Sequence, residues 1–423
     1  MDTIFALASG RGRAGVSVVR ISGPAAFTVL SKLTDTVKPR VASLRSLTHN
    51  DELLDEALVL TFPGPGSFTG EDVVELHLHG SIATVDAMLK CLGEMPELRP
   101  AEAGEFTRRA LLNERLDIAQ VEGLSDLIEA ETEAQRRQAL RVLTGDLGRK
   151  AFEWREKLIR AAALLEATID FVDEEVPVDV MPEVEALLSS VLGDLSREVT
   201  GAKAAERIRE GFEVAIIGPP NVGKSSLLNA LAGREAAITS SIAGTTRDVI
   251  EVRMDIRGLP VTFLDTAGIR ESSDAIEVLG IERALQRAED ADLRIVLSND
   301  QSETVVTPRE DDVFLVTKSD VRSGDISANT GEGMDALVEQ IADLLEARSA
   351  TVGVAIRERH RLAIAAAVPS LEKALGRVSD ASELPELVSE EIRFAVGSLD
   401  SLVGRVGVED VLDEIFCSFC IGK

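Results

Sequence analysis

The segment Gly218-Pro-Pro-Asn-Val-Gly-Lys-Ser225 lies directly behind the apolar run Glu213-Val-Ala-Ile-Ile-Gly218. An extended stretch that empties into a glycine-bounded loop and then a helix is suited to holding phosphate. The glycines let backbone N–H groups close around phosphate oxygens, and the helix start adds its positive end. In such a loop Lys224 reaches the terminal phosphates and the Ser225 hydroxyl can ligate Mg²⁺. Gly244-Thr-Thr-Arg-Asp248 follows at the distance of a switch loop, with Thr246 as a second hydroxyl for Mg²⁺. The alternating run Pro260-Val-Thr-Phe-Leu264 ends in Asp265-Thr-Ala-Gly268. There Asp265 can hold the metal through water, and the Gly268 N–H can sense the terminal phosphate.

The apolar run Asp312-Val-Phe-Leu-Val316 then delivers Thr317-Lys-Ser-Asp320. A carboxylate at Asp320 accepts from the N1–H and the 2-amino group of guanine. Adenine offers a lone pair instead, so a buried Asp320 would face it unpaired, and such mismatches discriminate strongly. Ser327 and Ala328 then cap the base. Five motifs in this order specify a GTP-binding domain. Its expected nucleotide contacts are Asn221, Val222, Gly223, Lys224, Ser225 and Ser226; Ser240, Ser241, Ile242, Ala243, Gly244, Thr245 and Thr246; Asp265, Thr266, Ala267 and Gly268; Thr317, Lys318 and Asp320; and Ser327 with Ala328.

Hydrolysis needs a further group. Many small GTPases place a glutamine after Asp-x-x-Gly to position the attacking water. Here the residue is Ile269, which cannot. Arg270-Glu-Ser-Ser-Asp-Ala-Ile-Glu277 offers carboxylates at Glu271, Asp274 and Glu277, and spacing alone does not choose among them. Asn221 has a side-chain carbonyl directed toward the phosphates, where it could help hold a monovalent cation.

The elements around these motifs fall into three regimes. Residues 1–113 mix short β-rich runs (Gly15–Ile21, Glu56–Phe62, Asp72–Leu78) with helical stretches, punctuated by Pro63-Gly-Pro-Gly66 and Gly70, which is an α+β pattern. Residues 114–209 are helical. Leu140, Leu143, Leu147, Ala151, Trp154, Leu158, Ala162, Leu165 and Ile169 recur at spacings of three and four, which predicts one long amphipathic helix with Trp154 in its core face. Residues 210–350 hold the α/β GTP-binding domain. Helical periodicity (Leu362, Ala365, Ala366, Leu371, Leu375) returns over 351–423, so the α/β domain reads as an insertion into an all-α one. The inserted domain looks abbreviated. Twelve residues separate Asn299 from Asp312 and six separate Asp320 from Ser327, too little for full crossover helices.

The 423 residues suit about three domains. No apolar stretch approaches the ~20 residues of a membrane span, and Met1-Asp-Thr-Ile-Phe lacks the features of a signal peptide. Three cysteines (Cys91, Cys417, Cys420) form no disulfide framework, so a reducing cytoplasm is expected. A formal charge of −28 argues against a non-specific grip on nucleic acid. His77 and His79 share one face of a strand, and without a third ligand they read as surface or cleft histidines.

The GTPase motifs, Ile242-Ala-Gly-Thr-Thr-Arg-Asp248, Phe68-Thr-Gly-Glu-Asp72 and the terminal Phe419-Cys-Ile-Gly-Lys423 together resemble the MnmE (TrmE) family of tRNA-modification GTPases. The similarity covers essentially the whole chain. It implies an N-terminal tetrahydrofolate-binding and dimerisation domain, a helical domain in two segments, and an inserted G domain. It also implies a homodimer and a complex with the FAD-containing protein MnmG. That complex adds an aminomethyl or carboxymethylaminomethyl group to C5 of the wobble uridine of certain tRNAs. The carbon comes from a one-carbon tetrahydrofolate such as the 5-formyl form. GTP hydrolysis is activated by K⁺ and by G-domain dimerisation.

By resemblance, Asn221, Ser240, Ile242 and Thr245 become K⁺ ligands, Ser225 and Thr246 Mg²⁺ ligands, and Glu277 the catalytic carboxylate acting through water. Arg20, Glu75, Arg115 and Lys423 match folate positions, and Cys420 is the cysteine near the folate pocket. Arg115 stands where the family has lysine, and Ser240 where threonine is common. Thr317 replaces asparagine, which loses the amide's ability to bridge base and P-loop. Cys417 replaces serine and creates the redox-type spacing Cys417-Ser-Phe-Cys420. The alternative reading is a K⁺-dependent regulatory GTPase, for example in ribosome assembly, without modification chemistry of its own.

Overall fold

The computed structural model describes residues 2–170, 180–234, 236–238, 251–265, 286, 289–300, 307–349, 353–379, 385–404, 416, 419 and 422. They divide into two compact units, residues 1–125 with 400–423, and residues 126–399.

The first unit is built on a six-stranded sheet. Its strands are β1 (Thr3–Leu7), β2 (Val16–Ser22), β3 (Ser43–His49), β4 (Glu52–Phe62), β5 (Val73–His79) and β6 (Leu98–Pro100), in the order β3-β4-β5-β2-β1-β6. All neighbours are antiparallel except β1 and β6. Strand periodicity sorts the side chains. Val19, Ile21, Val74, Leu76 and Leu78 enter a core with residues of helices α1 (Ala26–Leu33) and α2 (Ile82–Gly93). Arg20, Glu75, His77 and His79 therefore take the opposite face. Helix α3 (Glu105–Leu112) buries Phe106 in a small cluster with Ile4 and Ala6 of β1. Helix α4 (Ile118–Glu129) begins in this unit, where Val121 packs with Phe416 and Phe419.

In the second unit, the single helix predicted over 140–169 is two helices, α5 (Glu133–Leu143) and α6 (Asp146–Asp170). Gly145, at φ +87°, ends the first, and Asp146 sits in the first turn of the second, where negative charge suits the helix start. Val142, Leu147, Ala151, Trp154, Leu158 and Leu165 are buried, but Leu140 is exposed and Ala139 takes its place inside. Helix α7 (Met181–Glu210) is thirty residues long and stops at Gly211, one residue before β7 (Phe212–Ile217).

That strand lies at the centre of a second sheet, with β8 (Glu251–Ile256), β9 (Leu259–Asp265), β10 (Leu293–Ser298) and β11 (Val313–Val316) in the order β11-β10-β7-β9-β8. Only the β8–β9 pair is antiparallel. Helices α8 (Lys224–Ala232) and α9 (Met334–Ser349) pack against the sheet through Leu227, Leu228, Leu231, Leu337, Ile341 and Leu345. Residues 321–326 form turns and a one-residue bridge from Ile326 to Thr317, as their length predicts. Helices α10 (Glu358–Ser379) and α11 (Pro385–Asp400) follow. In α10 the predicted stripe holds only in part: Leu371 is buried as expected, but Leu362 and Ala366 are exposed and Ile364, Ala367 and Ala374 are buried instead. In an alanine-rich segment apolar residues occupy more than one face, so packing on α7 sets the phase rather than the period.

The chain leaves and re-enters the helical layer at one joint. Asp126 Oδ1 accepts from Arg209 Nε at 3.1 Å and from Arg357 Nη2 at 2.6 Å. Buried Glu198 accepts from the Val354 N–H at 2.8 Å and pairs with Lys150.

Candidate functional site

The loop between β7 and α8 lies at the C-terminal end of the central parallel strand, where open α/β sheets bind ligands. Its backbone turns at Asn221 (φ +59°) and Gly223 (φ +115°), which also serves as the N-cap of α8. Lys224 is buried, and its Nζ donates to the carbonyls of Gly218 at 2.6 Å and Pro219 at 3.0 Å. Burial holds its ammonium below the ordinary lysine range, against the pull of the Asp265 charge. The Ser225 hydroxyl donates to Asp265 Oδ2 at 2.7 Å. Residues forty positions apart thus form one pair of hard oxygen donors, a set that fits Mg²⁺. Val222 is buried, and Ser226 is exposed on the first turn of α8.

The base-recognition segment is attached to this loop. Buried Thr317 donates its hydroxyl to the Val222 carbonyl at 2.7 Å. Lys318, at φ +66°, donates Nζ to the Asn221 carbonyl at 3.0 Å. The one hydrogen-bonding group that threonine retains therefore still ties the base segment to the P-loop. Asp320 is exposed, and two hydrogen bonds rather than burial orient it. Ser327 Oγ donates to Oδ1 at 2.7 Å and Asn329 Nδ2 to Oδ2 at 3.4 Å. Ser327 and then Asn329 hold its carboxyl below the usual range, so it stays an acceptor. Ala328 is half-buried next to Ser327. Sequence reasoning missed Asn329 and also Arg322, which donates to the Thr317 carbonyl and to Asn299 Oδ1, each at 3.0 Å. Neither belongs to a motif of fixed spacing.

Ser240, Ser241, Ile242, Ala243, Gly244, Thr245, Thr246, Thr266, Ala267, Gly268, Ile269, Glu271, Asp274, Glu277, Cys417, Cys420 and Lys423 lie outside the described residues.

On the helix-free face of the first sheet, Arg20 and Glu75 are register partners across β2 and β5. Arg20 Nε and Nη2 donate to Glu75 Oε1 at 3.0 and 2.9 Å. The guanidinium lies over two rings, 5.5 Å from the Phe68 centroid and 5.6 Å from that of Phe106. Exposed Arg115 sits against the Phe68–Asp72 segment, where a Cβ on Gly70 would meet its stem at 3.4 Å. Gly422, next to Lys423, has φ +104°, and a Cβ there would come within 2.1 Å of the Leu7 carbonyl. Only glycine lets the chain pass so close to β1. His77 lies 3.4 Å from Glu75 and His79 2.7 Å from Asp55, so both have carboxylate neighbours. Phe106 was the unforeseen member of the cluster, since it lies on a helix whose burial only the fold decides. The arrangement is an anchored cation flanked by aromatic faces, suited to a planar ligand that carries carboxylates.

A central phosphate loop, a paired Ser225 and Asp265, and a base-recognition segment tied to that loop define a P-loop GTPase domain within a multidomain chain. Residues 3–115 match the family described as GTP-binding protein TrmE N-terminus, and residues 118–420 match the MnmE helical domain. The chain is 60% identical to the tRNA modification GTPase MnmE of a Cereibacter sphaeroides strain, with 100% of both chains covered. The same holds at 57% identity for that of Roseobacter denitrificans and at 52% for that of Paracoccus denitrificans. Among solved structures, Aquifex aeolicus Era bound to GDP and AlF₄⁻ aligns at 29% identity with a TM-score of 0.25, covering 31% of this chain and 56% of that one. The G domain of the Thermotoga maritima FeoB iron transporter aligns at 25% identity with a TM-score of 0.24, covering 31% and 98%. The chain belongs to the MnmE (TrmE) family of tRNA modification GTPases. Among the described residues no helix is long and apolar enough to cross a membrane.

Proposed function

We propose that the chain is a K⁺-activated GTPase that acts in the cytoplasm as a homodimer. With the flavoprotein MnmG it adds an aminomethyl or carboxymethylaminomethyl group to C5 of the wobble uridine of certain tRNAs. The observation that carries this reading is the match of both family domains along one chain, residues 3–115 and 118–420, to full-length relatives named as tRNA modification GTPases. A regulatory GTPase would need no domain of the TrmE N-terminal type, so that match favours modification chemistry. The proposed domains are 1–113 for folate and dimerisation, 114–209 and 351–423 for the helical domain, and 210–350 for the G domain.

In the G domain, Asp320 accepts from the guanine edge while Thr317 keeps the base segment in register with the P-loop. Lys224 exchanges its carbonyl partners for phosphate oxygens, a short swing from Gly218 and Pro219. Mg²⁺, when bound by Ser225 and Thr246, supplies charge neutralisation at the phosphates. K⁺ is assigned to Asn221, Ser240, Ile242 and Thr245, and Glu277 acts on the attacking water, because Ile269, the residue after Asp-x-x-Gly, offers no polar group. In the first unit, Arg20, Arg115 and Lys423 attract the carboxylates of a one-carbon tetrahydrofolate, Glu75 fixes Arg20, and Cys420 lies near the pocket. Calorimetry of 5-formyl-tetrahydrofolate with the full chain tests the reading. Saturable 1:1 binding per chain is expected, and its absence would move the protein to the regulatory class.

A further inference from the structure

We propose that Arg109 and Ser22 are positioning residues for the folate site, acting through Glu71 on the loop Phe68–Asp72. The inference rests on the folate reading above.

The loop joins β4 to β5, and its polar groups are fastened from three directions. Glu71 Oε2 accepts from Ser22 Oγ at 2.8 Å and from Arg109 Nη1 at 3.0 Å. Ser22 Oγ also lies 2.7 Å from Thr69 Oγ1, which accepts from the Glu71 N–H at 3.3 Å. Asn113 Nδ2 donates to the Thr69 carbonyl at 2.7 Å. Arg109 has a side chain only 5% exposed, and it divides its donors among Glu71, Glu105 Oε1 at 3.0 Å, Asp2 Oδ1 at 2.9 Å and the Asp2 carbonyl at 2.7 Å. One guanidinium thus holds the first residues of the chain, helix α3 and the loop together.

The position of these anchors carries the argument. Ser22 lies two residues beyond Arg20 on β2, so both project from the same sheet face. Arg109 lies three residues beyond Phe106 on α3, on the same side of the helix. The two residues that hold Glu71 are therefore carried by the elements that supply Arg20 and one of its flanking rings. Fastening Glu71 sets where Phe68 falls, and Phe68 is the second ring over Arg20. The same loop runs along the stem of Arg115. Buried ion pairs add little net stability relative to apolar packing, so the network's worth here is the geometry it fixes. Arginine suits this place because its planar fork spreads fixed N–H donors over acceptors on separate segments, whereas an ammonium concentrates its donors on one nitrogen.

The test uses full-length Arg109→Lys, Ser22→Ala and Ser22→Thr, with thermal melting to confirm folding. Two readouts are taken, 5-formyl-tetrahydrofolate affinity by calorimetry and amide exchange across residues 68–72. Arg109→Lys should weaken binding by about tenfold and Ser22→Ala by about threefold, both with faster exchange in the loop. Ser22→Thr, which keeps the hydroxyl, should restore both. Unchanged affinity in folded Arg109→Lys and Ser22→Ala overturns the positioning role, whether or not the loop exchanges faster. Failure of the unsubstituted chain to bind sinks the folate reading itself.

Discussion

The Thr317 hydroxyl donates to the Val222 carbonyl across 95 residues of sequence, at 2.7 Å and out of contact with water. That bond joins the segment that reads the base to the loop that holds the phosphates. Loss of a buried bond of this kind costs about 1–3 kcal/mol when the acceptor is left unpaired. Thr317→Val should therefore weaken GDP binding by roughly 5- to 150-fold at near-native shape. Fluorescent-nucleotide titration checks this, and an unchanged dissociation constant would mean that the two loops are held in register by other contacts.

GTP turnover in K⁺ should exceed turnover in Na⁺ by about tenfold or more, since Ile269 leaves the small-GTPase glutamine mechanism unavailable. Glu277→Ala should depress turnover with little change in nucleotide affinity. Phosphate release at saturating GTP and Mg²⁺ reads both. Equal rates in the two salts would remove the K⁺ assignment, and an unaffected Glu277→Ala would transfer the role to Glu271 or Asp274.

Arg294 of β10 and Asp312, just before β11, form a bidentate pair at 2.8 and 2.5 Å, with both side chains under a tenth exposed. Burial alone would raise the Asp312 carboxyl, but hydrogen bonds from Arg294 and the Arg309 N–H outweigh it and the net direction is down. A carboxyl depressed in the folded state contributes stability above its unfolded value of about 3.9, and that contribution is lost as pH falls through the folded value. Urea unfolding from pH 6 downward should show the unsubstituted protein losing stability as pH falls through the acid range, and Asp312→Asn losing less. Arg294→Met, which strands the carboxylate, should cost about 3–5 kcal/mol at pH 7. Parallel pH profiles for Asp312→Asn and the unsubstituted protein would show that this pair does not set the acid sensitivity.

With −28 formal charges, the isolated chain should bind tRNA weakly and lose binding steeply as salt rises, and the proposed flavoprotein partner should supply most of the RNA affinity. Filter binding at ~0.15 M salt measures it. Submicromolar affinity without the partner would reveal a basic surface hidden in the total charge.

The phosphate loop, the Asp265 strand end, the Asp320 segment and the missing crossover helix at 321–326 were legible from the chain alone. Each is a local arrangement set by neighbours along the backbone, so residue type and spacing specify it. The alternation of β5 was equally plain, because a period of two assigns Glu75, His77 and His79 to one face without further information. Tertiary structure decided what depends on distant partners. It split the predicted long helix at Gly145 and rotated the buried face of α10 away from Leu362. It also brought both Phe106 and Phe68 against Arg20, and it routed Thr317 to Val222. Local propensity cannot choose among several apolar faces of an alanine-rich helix. Nor can it rank which of many polar side chains will share a buried site, because both outcomes are set by packing between segments far apart in sequence.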